Sequence, residues 1–457
     1  MKKTGFIALL LTLFIAIPMK GQIRGNSINV EVIPDHQDWR YEVGETAIFN
    51  IKVTREHTLL NNVKVDYAAG PEMYQDVKKE GVVMKDGTLT LKGKMTKPGF
   101  YRVDVKATID GKEYKGACGA AFSPERLQPT TVMPQDFSEY WQNAISEARK
   151  VDLNPTKRLL PERCTKDVNV YEVSFQNIQW NWRTYGILCV PVEAEANPAK
   201  ARRYPALLRV PGAGVRPYGG DIYTASQGAI TLEIGIHGIS VTMDQKVYDD
   251  VFNGALMNYW NWGMDNRDDS YYKRVIIGCI RAIDYIEQYT PWNGQQLAVS
   301  GSSQGGFLSL ACAGLDKRVT CYAPVHAACC DHTASLKGVA CGWPHYFYWN
   351  ATPHSDYKSE NKGKGQEAKI NTSRYYDGVN FARLINDKQK GWFSFGYNDD
   401  VVPPTTAWAT YNTVTGPKEI SPYQATWHYW HQEQWDEWEN WLLKELGCKK
   451  AAIEREQ

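Results

Sequence analysis

Gly301-Ser302-Ser303-Gln304-Gly305 form a G-x-S-x-G pattern. The pattern lies between a short apolar run, Leu297 to Ser300, that reads as a strand, and a stretch through Leu315 that reads as a helix. A junction of this kind holds a serine out at the C-terminal end of the strand, and the turn is too tight for side chains on either side. The implied chemistry is nucleophilic attack by Ser303 on a carbonyl. The backbone N–H of Gln304, at the helix N-terminus, faces the charge that develops on the carbonyl oxygen. Ser226, in Ala-Ser-Gln-Gly, lacks the first glycine and the preceding strand, and is set aside.

A nucleophilic serine needs a base, and the base needs an acid to orient it. On an α/β-hydrolase scaffold the chain order is Ser, Asp, His. The acid should follow a strand, and Asp399 and Asp400 follow the candidate strand Gly391 to Gly396. Only His428 and His431 come later, ahead of a terminal helix expected over Gln432 to Leu446. Their i, i+3 spacing also suits a shared metal, but no third ligand is evident and no CxxC is present, so no metal or cofactor is called for.

The elements that must position these residues fall into two blocks. From about residue 26 to 122 the hydrophobic period is two, as in Phe49, Ile51 and Val53 or Tyr101, Val103, Val105 and Ala107, with turns at Asp86-Gly87 and Asp110-Gly111. This reads as a small immunoglobulin-like β-sandwich over residues 23–125, either a packing module or one that binds carbohydrate or a partner. A proline-marked linker follows. Residues 126–457 alternate strands, such as Ala206 to Val210 and Val319 to Ala323, with helices, such as Asp136 to Arg149 and Val275 to Tyr289. That alternation implies a mostly parallel sheet covered on both faces, an α/β-hydrolase fold.

Composition limits the partners. Of 457 residues, 52 are Lys or Arg and 51 are Asp or Glu, a net charge of +1 that gives no electrostatic reason to seek nucleic acid or an anionic membrane. Met1-Lys2-Lys3 followed by an apolar run from Phe6 to Pro18 reads as a signal peptide over residues 1–22, too short to span a bilayer. No cysteine precedes Cys118, which argues against a lipid anchor. The expectation is a secreted or periplasmic protein with no membrane anchor. The ten cysteines suggest no disulfide framework.

From about Met133 onward the chain resembles the acetyl xylan esterase / cephalosporin C deacetylase group, carbohydrate esterase family 7. The resemblance rests on Tyr271-Tyr-Lys-Arg-Val275, Ala282-Ile-Asp-Tyr285, Gly301-Ser-Ser-Gln-Gly-Gly306 and Gly396-Tyr-Asn-Asp-Asp-Val-Val-Pro-Pro-Thr405. It implies Asp399 rather than Asp400 as the acid. Counting back from the terminal helix, it implies His428 rather than His431 as the base. Where the family has His-Gly-Tyr, this chain has Pro211-Gly212-Ala213, so the resemblance implies the Ala213 N–H as the second oxyanion donor. The family's Arg-Gly-Gln-Gly is replaced here by Gly235-Ile-His-Gly238. Family members without a β-domain form ring-like hexamers; the added domain leaves a homo-oligomer open.

The reading is an exported serine esterase that removes acetyl groups from acetylated sugars or xylo-oligosaccharides. Ser303, Asp399 and His428 are its triad, and the Gln304 and Ala213 N–H groups are its oxyanion hole. Two other readings stay open: a hydrolase of the same fold acting on other esters or peptides, and a non-catalytic glycan-binding protein. Trp260, Trp262 and Trp343 lie in segments expected near the mouth of the pocket, either packing those segments or stacking on sugar rings.

Overall fold

Period-two alternation builds two sheets at the N-terminal end of the chain. The computed structural model describes residues 27–178, 182–196, 203–289, 291–348 and 366–448; the expected signal peptide lies outside them. Ile28–Pro34, Thr46–Arg55, Thr58–Leu59 and Thr88–Lys94 form one antiparallel sheet. Val77–Met84, Val63–Pro71, Gly99–Ile109 and Lys112–Phe122 form a second, which Arg40–Tyr41 joins in parallel at one edge. Inward residues of the first sheet, Phe49, Ile51 and Val53, meet Val63, Val65, Val103 and Val105 of the second in one core. The Asp110-Gly111 turn closes its hairpin with both residues at positive φ, 52° and 75°, as the twist of a two-residue turn demands.

That core does not stop at the domain boundary. Phe395, Tyr397, Ala407 and Trp408 of the second domain belong to it, and Phe100 meets Tyr397 edge to face at 5.0 Å. The β-domain is therefore packed into the body of the protein.

The second domain is built on a nine-stranded sheet. Its order is Thr156–Leu159, Val168–Gln176, Arg183–Pro191, Ile230–Gly235, Tyr204–Arg209, Trp292–Ser302, Cys321–Val325, Lys390–Gly396 and Lys418–Tyr423. The first three strands run antiparallel to their neighbours and the rest pair in parallel. This is a mixed, largely parallel sheet of α/β-hydrolase type. Neighbouring residues of a strand face opposite sides. Leu208 and Val299 pack with Trp141, Ile280 and Phe307 from the helices Phe137–Arg149, Tyr271–Gln288 and Gln304–Leu315. Leu207 and Ala298 pack with Trp438, Trp441 and Leu442 of the terminal helix Gln432–Leu446. Helices thus cover both faces, and the strands' C-terminal ends are left to carry the site.

Candidate active site

The elbow at Ser303 has a steric cause that can be read atom by atom. A Cβ on Gly301 would fall 2.3 Å from the Val210 carbonyl oxygen, and one on Gly305 would fall 2.4 Å from the same atom. Only glycine lets the elbow strand and the elbow helix approach the neighbouring strand so closely. Ser303 itself sits at φ 60°, ψ −121°. For a residue with a side chain that conformation costs on the order of 1–3 kcal/mol and persists only where its surroundings enforce it. Here the Ser303 N–H donates to Val325 O at 2.8 Å, and Ser303 O accepts from the Ala328 N–H at 3.0 Å.

Gln304 opens the helix and is fully buried. Its side chain ties the elbow to the facing loop. Oε1 accepts from the Tyr259 hydroxyl at 2.6 Å and from the Tyr272 hydroxyl at 3.0 Å, while Nε2 donates to Pro211 O at 3.3 Å. The facing loop, Gly212 to Gly214, is held from behind as well. The Gly214 N–H donates to the Tyr259 hydroxyl at 3.3 Å. His237 Nε2 lies 3.0 Å from Gly214 O, and its Nδ1 lies 2.7 Å from the Tyr271 hydroxyl. Burial lowers His237 to about 4, so the ring is neutral and acts as a prop, giving Nε2–H to the carbonyl and accepting from the tyrosine. Ala213, Gln304 and Ser303 are thus set by one connected network. Sequence reasoning named all three but missed His237, Tyr259 and Tyr271 as their supports.

Asp399 follows the strand Lys390–Gly396 and has no exposed surface. Its Oδ1 accepts the N–H groups of Val401 and Val402 at 3.0 and 2.8 Å. Its Oδ2 lies 2.7 Å from His428 Nδ1 and 3.2 Å from His326 Nδ1. Burial works to raise this carboxyl, but the bonds from His326 and His428, and the attraction of both rings, prevail and hold it at about 2. His431, three residues on, makes no such contact: it caps the terminal helix in a reciprocal pair with Gln434 and stacks on Tyr423 at 5.7 Å. Asp400 is exposed, and both acids border a cavity at the domain junction.

Ser303 and His428 line one cavity of about 590 Å³, together with Ala213, Arg216, Phe252, Trp260, Trp343 and Trp430. Among the described residues no hydrogen bond joins Ser303 to His428; such contacts commonly tighten only in the substrate complex. Trp260 and Trp343 lie 5.1 Å apart, ring to ring. Trp262 lies outside this lining, 39 % exposed, with its ring against the edge of Tyr271 at 5.5 Å. Trp430 and Arg216 were not foreseen, since nothing in their spacing sets them apart.

His326, Asp399 and His428 offer ligand atoms within 4.8 Å of one another. Two ligands of a tetrahedral zinc, each about 2.0–2.1 Å from it, sit roughly 3.3 Å apart. The 2.7 Å between His428 and Asp399 is a hydrogen bond instead, and the trio is better suited to holding a proton than a metal. The ten cysteines are all free thiols, and most of them are buried.

Three comparisons bear on this site. A family model described as acetyl xylan esterase (AXE1) matches residues 125–445, beginning where the β-domain ends. The acetyl esterase Axe7A of Xylanibacter ruminicola is 35% identical over 408 residues, 86% of each chain. Among solved structures, an acetyl xylan esterase from Paenibacillus sp. R4 superposes with a TM-score of 0.60 at 25% identity, covering 70% of this chain and 98% of its own. Acetyl xylan esterase 1 from Thermoanaerobacterium sp. JW/SL YS485 gives 0.56 at 20% identity, covering 70% and 97%, a likeness of fold.

Proposed function

The chain belongs to the acetyl xylan esterase family, and from that premise we propose that it is an exported serine esterase that deacetylates acetylated sugars or xylo-oligosaccharides through an acyl-enzyme. The observation that carries the reading is the meeting of His428 Nδ1 with the buried Asp399 carboxylate at 2.7 Å, in a loop that opens onto the cavity of the strained Ser303.

In this reading Asp399 keeps the His428 proton on Nδ1, which leaves Nε2 free to take the proton of Ser303 Oγ. Ser303 attacks the acetyl carbonyl. The N–H groups of Gln304 and Ala213 receive the oxyanion, and the elbow helix adds the positive end of its dipole. The Ser303–acetyl bond forms as the sugar alkoxide leaves, taking the proton from His428. Water, deprotonated by the same imidazole, then releases acetate and restores the serine. Asp399 stays ionised throughout, as its low position requires. Trp260 and Trp343, ring against ring at the cavity wall, are the surfaces proposed to meet the sugar. Export is proposed from residues 1–22. Among the described residues no helix is long and apolar enough to cross a membrane.

The test compares acetate release from acetylated xylo-oligosaccharides, a long-chain aryl ester and a peptide. The reading expects turnover of the first and little of the others. A preference for the long-chain ester or the peptide would replace it with the broader hydrolase reading.

A further inference from the structure

Asp399 Oδ2 serves two imidazoles, and the reaction as derived uses only one of them. The second, His326, is the first residue after the strand Cys321–Val325, beside the elbow strand. It is 1 % exposed. Its backbone is held at φ 46°, with its N–H given to Ser394 O at 2.8 Å. Its ring is spent on the acid of the proposed triad at Nδ1 and on Gln434 at Nε2, at 3.2 and 3.3 Å.

The direction of the bonds fixes the tautomer. Ser394 Oγ donates to Ser421 O at 2.6 Å and therefore accepts from Gln434 Nε2 at 2.8 Å. Gln434 Oε1 takes the His431 N–H at 3.4 Å, which orients the amide the same way. The amide nitrogen has only protons to offer, so His326 Nε2 accepts and the ring proton sits on Nδ1, aimed at Asp399. Desolvation lowers His326 despite the opposing pull of Asp399, in the direction that favours the neutral ring. The carboxylate therefore receives four donors: two backbone N–H groups on Oδ1, and two imidazole N–H groups on Oδ2.

We propose that His326 is a positioning residue of the esterase: it locks the Asp399 carboxylate in the plane that His428 needs, and takes up part of the negative charge that Asp399 presents to His428. Terminal-helix residue Gln434 sets the His326 tautomer and so reaches the site through it. Among the described residues, Glu72 of the β-domain and His345 also interact by charge with Asp399. Arg102 reaches the same loop at Asn398 O. All three are left unchanged in the test.

The inference rests on the reading of Ser303, His428 and Asp399 as the triad, and the experiment separates the two. The pH dependence of kcat/KM for 4-nitrophenyl acetate is measured for the wild type, His326→Phe and His326→Asn, beside Ser303→Ala and His428→Ala. Phe keeps a ring but no donor, leaving Asp399 with more charge for His428. The acid limb should move up by about 0.5–1 pH unit, the scale on which a single hydrogen bond to a carboxylate acts, with kcat lower by about tenfold. Asn carries an N–H near the Nδ1 position and should return the limb to its wild-type place. A lowered kcat in His326→Phe with an unmoved limb would make the ring merely structural. Should both variants fail to fold, ¹⁵N-histidine spectra of the wild type decide: a neutral Nδ1–H tautomer is expected for His326, and a neutral Nε2–H form or an imidazolium overturns the proposal. If Ser303→Ala and His428→Ala keep their activity, it is the triad reading that fails.

Discussion

Asn398, the residue before Asp399, is clamped to Gly119 of the β-domain: its Oδ1 accepts the Gly119 N–H at 2.8 Å, and its Nδ2 donates to Ala117 O at 2.9 Å. Its carbonyl accepts from Arg102 at 3.1 Å, and its own N–H donates to Thr426 O, two residues before His428. The β-domain thus grips the loop that carries Asp399, which is itself bonded to the loop that carries His428. A spacer module would leave those loops to the catalytic domain alone.

Asn398→Ala should therefore lower both stability and rate. It leaves the Gly119 N–H and the Ala117 carbonyl buried without their partner, a loss of about 2–3 kcal/mol. It also loosens Asp399, where a misplacement of about 1 Å can cost on the order of 100-fold in kcat. Gly119→Ala should be worse, because its Cβ would fall 2.2 Å from the Tyr397 carbonyl oxygen. Melting temperature and kcat together check this. Wild-type kcat in a destabilised Asn398→Ala would mean that the β-domain stabilises the protein without positioning the site.

The two histidines of the C-terminal segment should part company. His428→Ala should lose nearly all turnover. His431→Ala should keep most of it and lose about 1 kcal/mol of stability with its helix cap. Kinetics and thermal melts of the pair decide the matter, and the reverse pattern of activity would move the base to His431.

Glu72 should make stability fall as pH rises from about 5 to 8, against the buried histidines His237, His332 and His345, whose lowered positions add stability as pH rises towards 6.5. Glu72 is buried at the domain junction, with its Oε2 accepting the Thr405 hydroxyl at 2.7 Å. Burial pushes its carboxyl from 4.5 up to about 7. The folded protein then binds this proton more tightly than the unfolded chain does. The stabilisation is complete below about pH 4.5 and is lost as pH rises through about 7. Asp331 and Asp377, buried close together and raised to about 6, act in the same direction at lower pH. Asp399, held at about 2, acts in the opposite direction, losing its contribution only as pH falls through that value. Relative to the wild type, Glu72→Gln should gain melting temperature progressively between pH 5 and 8, and an unchanged difference between the two across that range would show that Glu72 does not carry the effect.

The tryptophans divide by position. Trp260→Ala and Trp343→Ala should raise KM for an acetylated xylo-oligosaccharide while leaving a small aryl acetate nearly unaffected, because binding away from the reacting centre is lost without touching Ser303, Asp399 or His428. Trp262→Ala, outside the cavity, should do neither. Equal damage to both substrates at Trp260 and Trp343 would make these rings packing alone.

What the sequence makes legible follows the range of the interactions. The elbow is local: strand, glycines, serine and helix lie within about twenty residues, and their steric logic can be written down before any fold is known. The position after a strand leaves Asp399 and Asp400 both open, and only the family resemblance separates them, whereas His428 and His431 share one spacing and need the terminal helix as a ruler. Lys418–Tyr423 is harder to foresee, since Pro422 and its half-exposed residues carry no period-two signal. Ile230–Gly235 is nearly all buried and equally lacks alternation. His326 left only a faint trace, a histidine directly after the strand that follows the elbow helix. The grip of Gly119 on Asn398 left none, because it spans 279 positions of chain.

The proposed role of Ser303 as the nucleophile of a deacetylation is checked by acetate release from an acetylated xylo-oligosaccharide, measured for Ser303→Ala beside the wild type. The wild type should release acetate steadily, and the variant should show a fall in kcat on the order of 10⁶-fold with its melting temperature retained. Substantial turnover by a folded Ser303→Ala would contradict it.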